Sequence, residues 1–155
     1  MPYLIDGHNL IPKIPGLSLR DIDDELKLIQ ILQDYTRITR SSLEVYFDHA
    51  PAGYDRIQKF GRVKVIFVSD KTIADEMIIR RIKSLGPSAP NWTVVTSDRR
   101  IQADARESRA SRLSSEEFAR SLMAALEKSR ENPAGDREMT GGELDDWLKL
   151  FNQNK

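Results

Sequence analysis

The chain contains no cysteine, which excludes disulfides, thiolate metal sites and thiol nucleophiles together and fits a reducing compartment. It also lacks an excess of either charge. With 24 Lys and Arg against 24 Asp and Glu, a polyanionic partner has to be met by a local patch rather than a global field. Histidine is scarce, at two residues, and no third group completes a nucleophile–base triad around either. No apolar run approaches the ~18 residues of a membrane span. Met1-Pro2 leads straight into Tyr3-Leu4-Ile5 with no charged leader or small-residue cleavage site. These absences predict a cytoplasmic protein that makes no use of a membrane. At 155 residues the chain suffices for one domain with a real core and is too short for two.

What is present is an alternation of short β-branched or aromatic runs with longer helical patterns, which indicates an α/β fold of βαβ units about a mostly parallel central sheet flanked by helices. The runs predict strands at Tyr3–Ile5, Leu43–Phe47, Val63–Val68 and Trp92–Thr96. Leu19, Ile22, Leu26, Ile29 and Leu32 step by three and four and predict a helix after the first strand. Ile78, Ile82 and Leu85 predict another, with Asp75 one turn earlier on its inward face. A short helix is expected over Arg99–Arg106; residues 107–113 are too polar to classify, a fifth strand being one option. Ser114-x-x-Glu117 forms a capping box ahead of the stripe Phe118, Leu122, Leu126. A domain is therefore expected over 1–128 and a Pro/Gly-bearing linker over 129–139. Residues 140–155 are expected to form a C-terminal amphipathic helix carrying Leu144, Trp147, Leu148 and Phe151.

Asp6, Asp48 and Asp98 each follow a predicted strand, and Asp75 opens a helix. In a parallel α/β sheet, residues just past the strand carboxyl ends converge on one crevice, so these four acids are expected to meet in space. Clustered carboxylates without thiolates suit Mg²⁺ or Mn²⁺ rather than zinc, and such sites serve hydrolytic or transfer chemistry on phosphates. Plainer explanations compete at each position. An Asp-Gly pair after a strand is often only a turn, Asp70 reads equally as a helix cap before Lys71, and Asp104 as a helix-surface charge. Asn9 either binds a phosphate or ties the turn that Gly7 allows. His8 and His49 stand beside the acids but read more simply as surface groups. Among the cations, Arg99, Arg100 and Arg112 lie nearest in sequence to the acidic mouth and are expected to pair with phosphates. Arg80, Arg81 and Lys83 are the alternative surface, while Arg106 and Arg109 fit solvated helix faces.

The segments YLIDGHNL, VYFDHA, TIADEMIIRRI, VVTSDRRIQ and RLSSEEF, in that order, resemble the YacP-like members of the NYN group within the PIN-like nuclease superfamily, across most of residues 1–120. The resemblance implies a Rossmann-like PIN/NYN fold and a metal-dependent endoribonuclease using Mg²⁺ or Mn²⁺. It further implies that Asp6, Asp48, Asp75 and Asp98 form the acidic site, with Asn9 in support and RNA as partner. One departure stands out: before RLSSEEF the family usually carries small residues around a Gly-Ala, and this chain reads ESRASR. The competing class is a non-catalytic RNA-binding or ribosome-associated module that keeps the acidic pocket. A phosphatase of the haloacid dehalogenase type needs a second Asp where His8 stands, and a dinucleotide enzyme needs a G-x-G-x-x-G that does not follow the first strand.

Overall fold

The computed structural model describes residues 2–17, 22–48 and 56–131. Its elements are β1 (Pro2–Asp6), α1 (Gly7–Leu10), a 3-10 turn (Ile11–Lys13), α2 (Ile22–Thr39), β2 (Ser42–Phe47), β3 (Arg56–Phe60) and β4 (Val63–Phe67). There follow α3 (Lys71–Ser84), a second 3-10 turn (Gly86–Asn91), β5 (Thr93–Val95), α4 (Arg99–Glu107), β6 (Ser111–Leu113) and α5 (Ser115–Glu131). The strands form one sheet in the order β3-β4-β2-β1-β5-β6, parallel throughout except for β3, which runs antiparallel to β4. The chain builds outward from β1 through β2 to β4, then returns to place β5 on the other side of β1. The β1/β5 seam is thus the topological switch point, where parallel sheets open a crevice.

Side chains alternate between the sheet faces, and each face carries its own core. Ile5, Val45, Phe47, Val65 and Val95 join Leu28, Leu32, Phe118 and Leu122 under α2 and α5. Leu4, Tyr46, Ile66 and Val94 join Ile78, Ile82, Ile101 and Ala105 under α3 and α4. Phe118 is fully buried and meets the rings of Tyr3 and Tyr35 at 5.4 Å each, contacts worth ~0.5–1.5 kcal/mol apiece beyond area burial.

All four predicted strands form, and β6 realises the fifth-strand option. The antiparallel β3 had no sequence warning: Arg56–Phe60 is mostly charged or polar, and it forms because Gly61, at φ 60°, folds it back onto β4 as an edge strand. The stripe of α2 is corrected. Leu26 is 53 % exposed, and the buried face is Leu28, Ile29, Ile31, Leu32 and Tyr35. At ~100° per residue, Leu26 lies almost opposite Leu28, so spacing alone had merged two faces. Leu19 and the side chain of Ile22 lie outside the described residues. Gly7, expected to allow a tight turn, instead begins α1, and what it provides is space. A Cβ there would stand 2.6 Å from the Tyr46 carbonyl and from the Phe47 ring.

The capping box forms as predicted, with Glu117 N–H donating to Ser114 Oγ at 3.1 Å and Ser114 N–H donating to Glu117 Oε1 at 3.2 Å. The helix it starts continues to Glu131. The rest of the expected linker and the expected helix over 140–155 lie outside the described residues, as does His49. In the ESRASR departure, Arg109 takes φ 67°, a left-handed conformation that a glycine adopts without strain. Among the described residues no helix is long and apolar enough to cross a membrane.

Candidate active site

Strand parity delivers the acids. The face that carries Leu4, Tyr46 and Val94 into the α3/α4 core carries Asp6, Asp48 and Thr96 two residues later, at the carboxyl ends, where the apolar layer stops. Asp6 is 4 % exposed. The register sets Ile5 beside Val95, which brings Thr96 level with Asp6, and Thr96 Oγ1 donates to Asp6 Oδ2 at 3.2 Å. Asp75 arrives from the helix above, on the buried face of α3 that also holds Ala74, Ile78 and Ile82. Asp98 ends the β5 exit and caps α4: its Oδ1 accepts from Arg100 N–H at 2.8 Å and Ile101 N–H at 3.4 Å. Asp48 is buried beside His8, whose Nδ1 lies 3.3 Å from Asp48 Oδ1.

Electrostatics ties the four together. Burial, opposed by the Thr96 hydrogen bond and reinforced by the charge of Asp75, pushes the Asp6 carboxyl up to about 6. Asp75 is raised too, by burial first and then by the charges of Asp98 and Asp48, with Lys71 and Arg100 opposing. Asp75 therefore feels or is felt by each of the other three acids. Such mutual repulsion in a buried cleft is what a cation relieves. The donors are hard oxygens without sulfur, so the residues present fit Mg²⁺ or Mn²⁺. Among the described residues no three His, Asp or Glu side chains close into a ready ligand set. Asp6, Asp48, Asp75 and Asp98 are the residues that would hold such an ion.

Asp70 resolves as a cap, accepting from Thr72 N–H at 2.6 Å at the start of α3, and Asp104 sits half-buried on α4. Asn9 is used within the fold: its Oδ1 accepts the Ser97 N–H at 2.8 Å and ties α1 to the β5 exit. Arg99 and Arg100 are exposed on the first turn of α4, and Arg100 Nη2 reaches to 3.6 Å from Asp75 Oδ2. Arg112 is exposed on the edge strand β6, in register with Val94 and so on the α3/α4 face. Arg81 leaves the alternative surface, because it grips the buried Glu44 through two nitrogens, at 2.9 and 2.8 Å, and lies over the Trp92 ring at 5.0 Å. Nothing in the residue pattern singled out Thr96, Ser97, Glu116 or Lys13, all of which prove to be linked to the turn that carries Asp98. The run of hydroxyls in Thr96-Ser97-Asp98 was the available signal.

Comparison with known proteins places this geometry in a family. The model of the YacP-like NYN domain matches residues 3–151. Over 100 residues the chain is 33 % identical to the uncharacterized protein YacP of Bacillus subtilis strain 168, a stretch that is 61 % of this chain and 59 % of that protein. Its fold is similar to the crystal structure of Rae1 (YacP) from Bacillus subtilis, with a TM-score of 0.68 at 28 % identity, covering 99 % of this chain and 93 % of that one. A tryptophan-to-leucine variant of that protein gives a TM-score of 0.67 at 27 % identity, covering 97 % and 91 % of the two chains.

Proposed function

Because this chain belongs to the YacP-like NYN domain family, within the PIN-like nucleases, we propose that it is an endoribonuclease that hydrolyses RNA phosphodiesters with Mg²⁺ or Mn²⁺. The observation that carries this is the set of four aspartates, delivered by β1, by the exit of β2, by the second turn of α3 and by the N-cap of α4, sharing one electrostatic field at the sheet's switch point. Asp6, Asp48, Asp75 and Asp98 hold the ion directly or through its waters. When bound, the ion supplies a water of lowered pKa and positive charge against the scissile phosphate.

The chain's own residues do the remainder. Thr96 fixes the Asp6 carboxylate by its hydrogen bond, and the α4 cap fixes Asp98. Arg99, Arg100 and Arg112 bring a polyanion to a site whose own charge repels it, and Arg100 is near enough to Asp75 to bridge acid and phosphate. Water forms the new bond to phosphorus and the bond to the 3′ oxygen breaks, that oxygen leaving with a proton, so the expected products carry 5′-phosphate and 3′-hydroxyl ends. The test is cleavage of single-stranded RNA and DNA oligonucleotides by the wild type and by Asp6→Asn across Mg²⁺, Mn²⁺ and EDTA. RNA cleavage that needs the divalent ion and falls by orders of magnitude in Asp6→Asn supports the proposal. Metal-independent cleavage defeats it, and RNA binding without any cleavage hands the site to a non-catalytic RNA-binding role.

A further inference from the structure

We propose that Glu116, anchored by Lys13, is a positioning residue for the acidic site, fixing Ser97 and through it the turn that presents Thr96 and Asp98. The activity arm of this proposal rests on the nuclease reading, while its geometry does not. Glu116 lies in the first turn of α5, in the helix layer opposite α3 and α4. Its carboxylate nevertheless reaches the site's end of the sheet. Ser97 Oγ donates to Glu116 Oε2 at 3.2 Å, and Lys13 Nζ stands 2.9 Å from Oε1.

Ser97 is held from two further directions. Its Oγ accepts the Ser115 N–H at 3.2 Å, satisfying one of the open donors at the start of α5, and its own N–H donates to Asn9 Oδ1. The next links are the site itself. Asp98 N–H donates to Thr96 Oγ1 at 3.0 Å, and that hydroxyl donates to Asp6. Polar contacts thus run from Lys13 through Glu116 to Ser97, and the backbone on either side of Ser97 carries Thr96, which donates to the Asp6 carboxylate, and Asp98, whose N–H donates to Thr96.

The hydrogen bond from Lys13, foremost, and that from Ser97 hold the Glu116 carboxyl down to about 2, so it stays charged at any working pH. The Lys13 and Glu116 side chains are 38 % and 46 % exposed, and an ion pair that open adds little to global stability. Its effect falls on the orientation of a surface turn.

The experiment compares Glu116→Ala with Glu116→Gln, which keeps an acceptor for Ser97. Amide exchange at Ser97 and Asp98 in the metal-free protein should quicken in Glu116→Ala and stay near wild type in Glu116→Gln. Mn²⁺ affinity by calorimetry should fall about tenfold in the alanine variant alone, the scale of losing a residue that orients a ligand. RNA cleavage should lose kcat with KM unchanged. Unaltered exchange and Mn²⁺ affinity in Glu116→Ala would overturn the proposal, and so would equal losses in both variants, which would assign the effect to charge at the helix start. A wild type that cleaves no RNA counts against the nuclease reading alone, since the exchange and Mn²⁺ arms still decide the role of Glu116.

Discussion

Asp6 owes its chemistry to where β1 ends. Its carboxyl is raised from 3.8 to about 6 in the folded protein, so its contribution to stability is fully present below the unfolded value and is lost as pH rises through 6. At ~1.4 kcal/mol per unit, ionised Asp6 costs up to about 3 kcal/mol at neutral pH without a cation, and Asp75 adds in the same direction. Asp6→Asn should therefore raise the melting temperature of the metal-free protein at pH 7.5 and change it little at pH 4, while abolishing cleavage. A melting temperature that falls at pH 7.5 would contradict the cost assigned to ionised Asp6. Arg109 offers a simpler case: at φ 67° it carries left-handed strain of ~1–2 kcal/mol, so Arg109→Gly should stabilise by about 1 kcal/mol in chemical denaturation.

Among the helices and strands, α2 shows how a three-and-four spacing misleads when apolar residues occur on two faces. Leu26→Lys should change stability by less than ~0.5 kcal/mol, because the side chain already faces water. Leu32→Ala empties a fully buried position between α2 and the sheet and should cost ~2–5 kcal/mol. Urea denaturation of the two variants checks both, and equal losses would mean that the exposed face of α2 is covered in solution. The same logic makes β3 invisible in the sequence, since an edge strand is specified by its hairpin partner more than by its own pattern.

For the protein as a body, net charge is neutral, so on the proposed reading a polyanion has to be met locally, by the exposed arginines at the start of α4 and on β6. Substituting Arg99, Arg100 or Arg112 by alanine should weaken RNA binding and lower the slope of log K against log salt by about one unit for each phosphate no longer neutralised. Fluorescence anisotropy over a salt series measures this. Slopes unaltered by all three would move the polyanion surface elsewhere, though not to Arg81, whose guanidinium is already committed to Glu44.

The α/β class, four strands, the capped start of α5 and the strand-end placing of Asp6, Asp48 and Asp98 were all legible in the residue order, because apolar periodicity and turn chemistry are local; Asp75 was read as opening its helix and instead lies one turn inside it, behind the Asp70 cap. Folding alone revealed that the Asn9 side-chain oxygen accepts from Ser97, that Arg81 grips Glu44, and that Glu116 reaches Ser97 from the opposite helix layer. The hydrogen bonds among these pairings join residues 19 to 88 positions apart along the chain, brought together by sheet order and register. A one-dimensional pattern carries no record of which distant side chain will stand opposite, since that choice is made by packing two cores against one sheet.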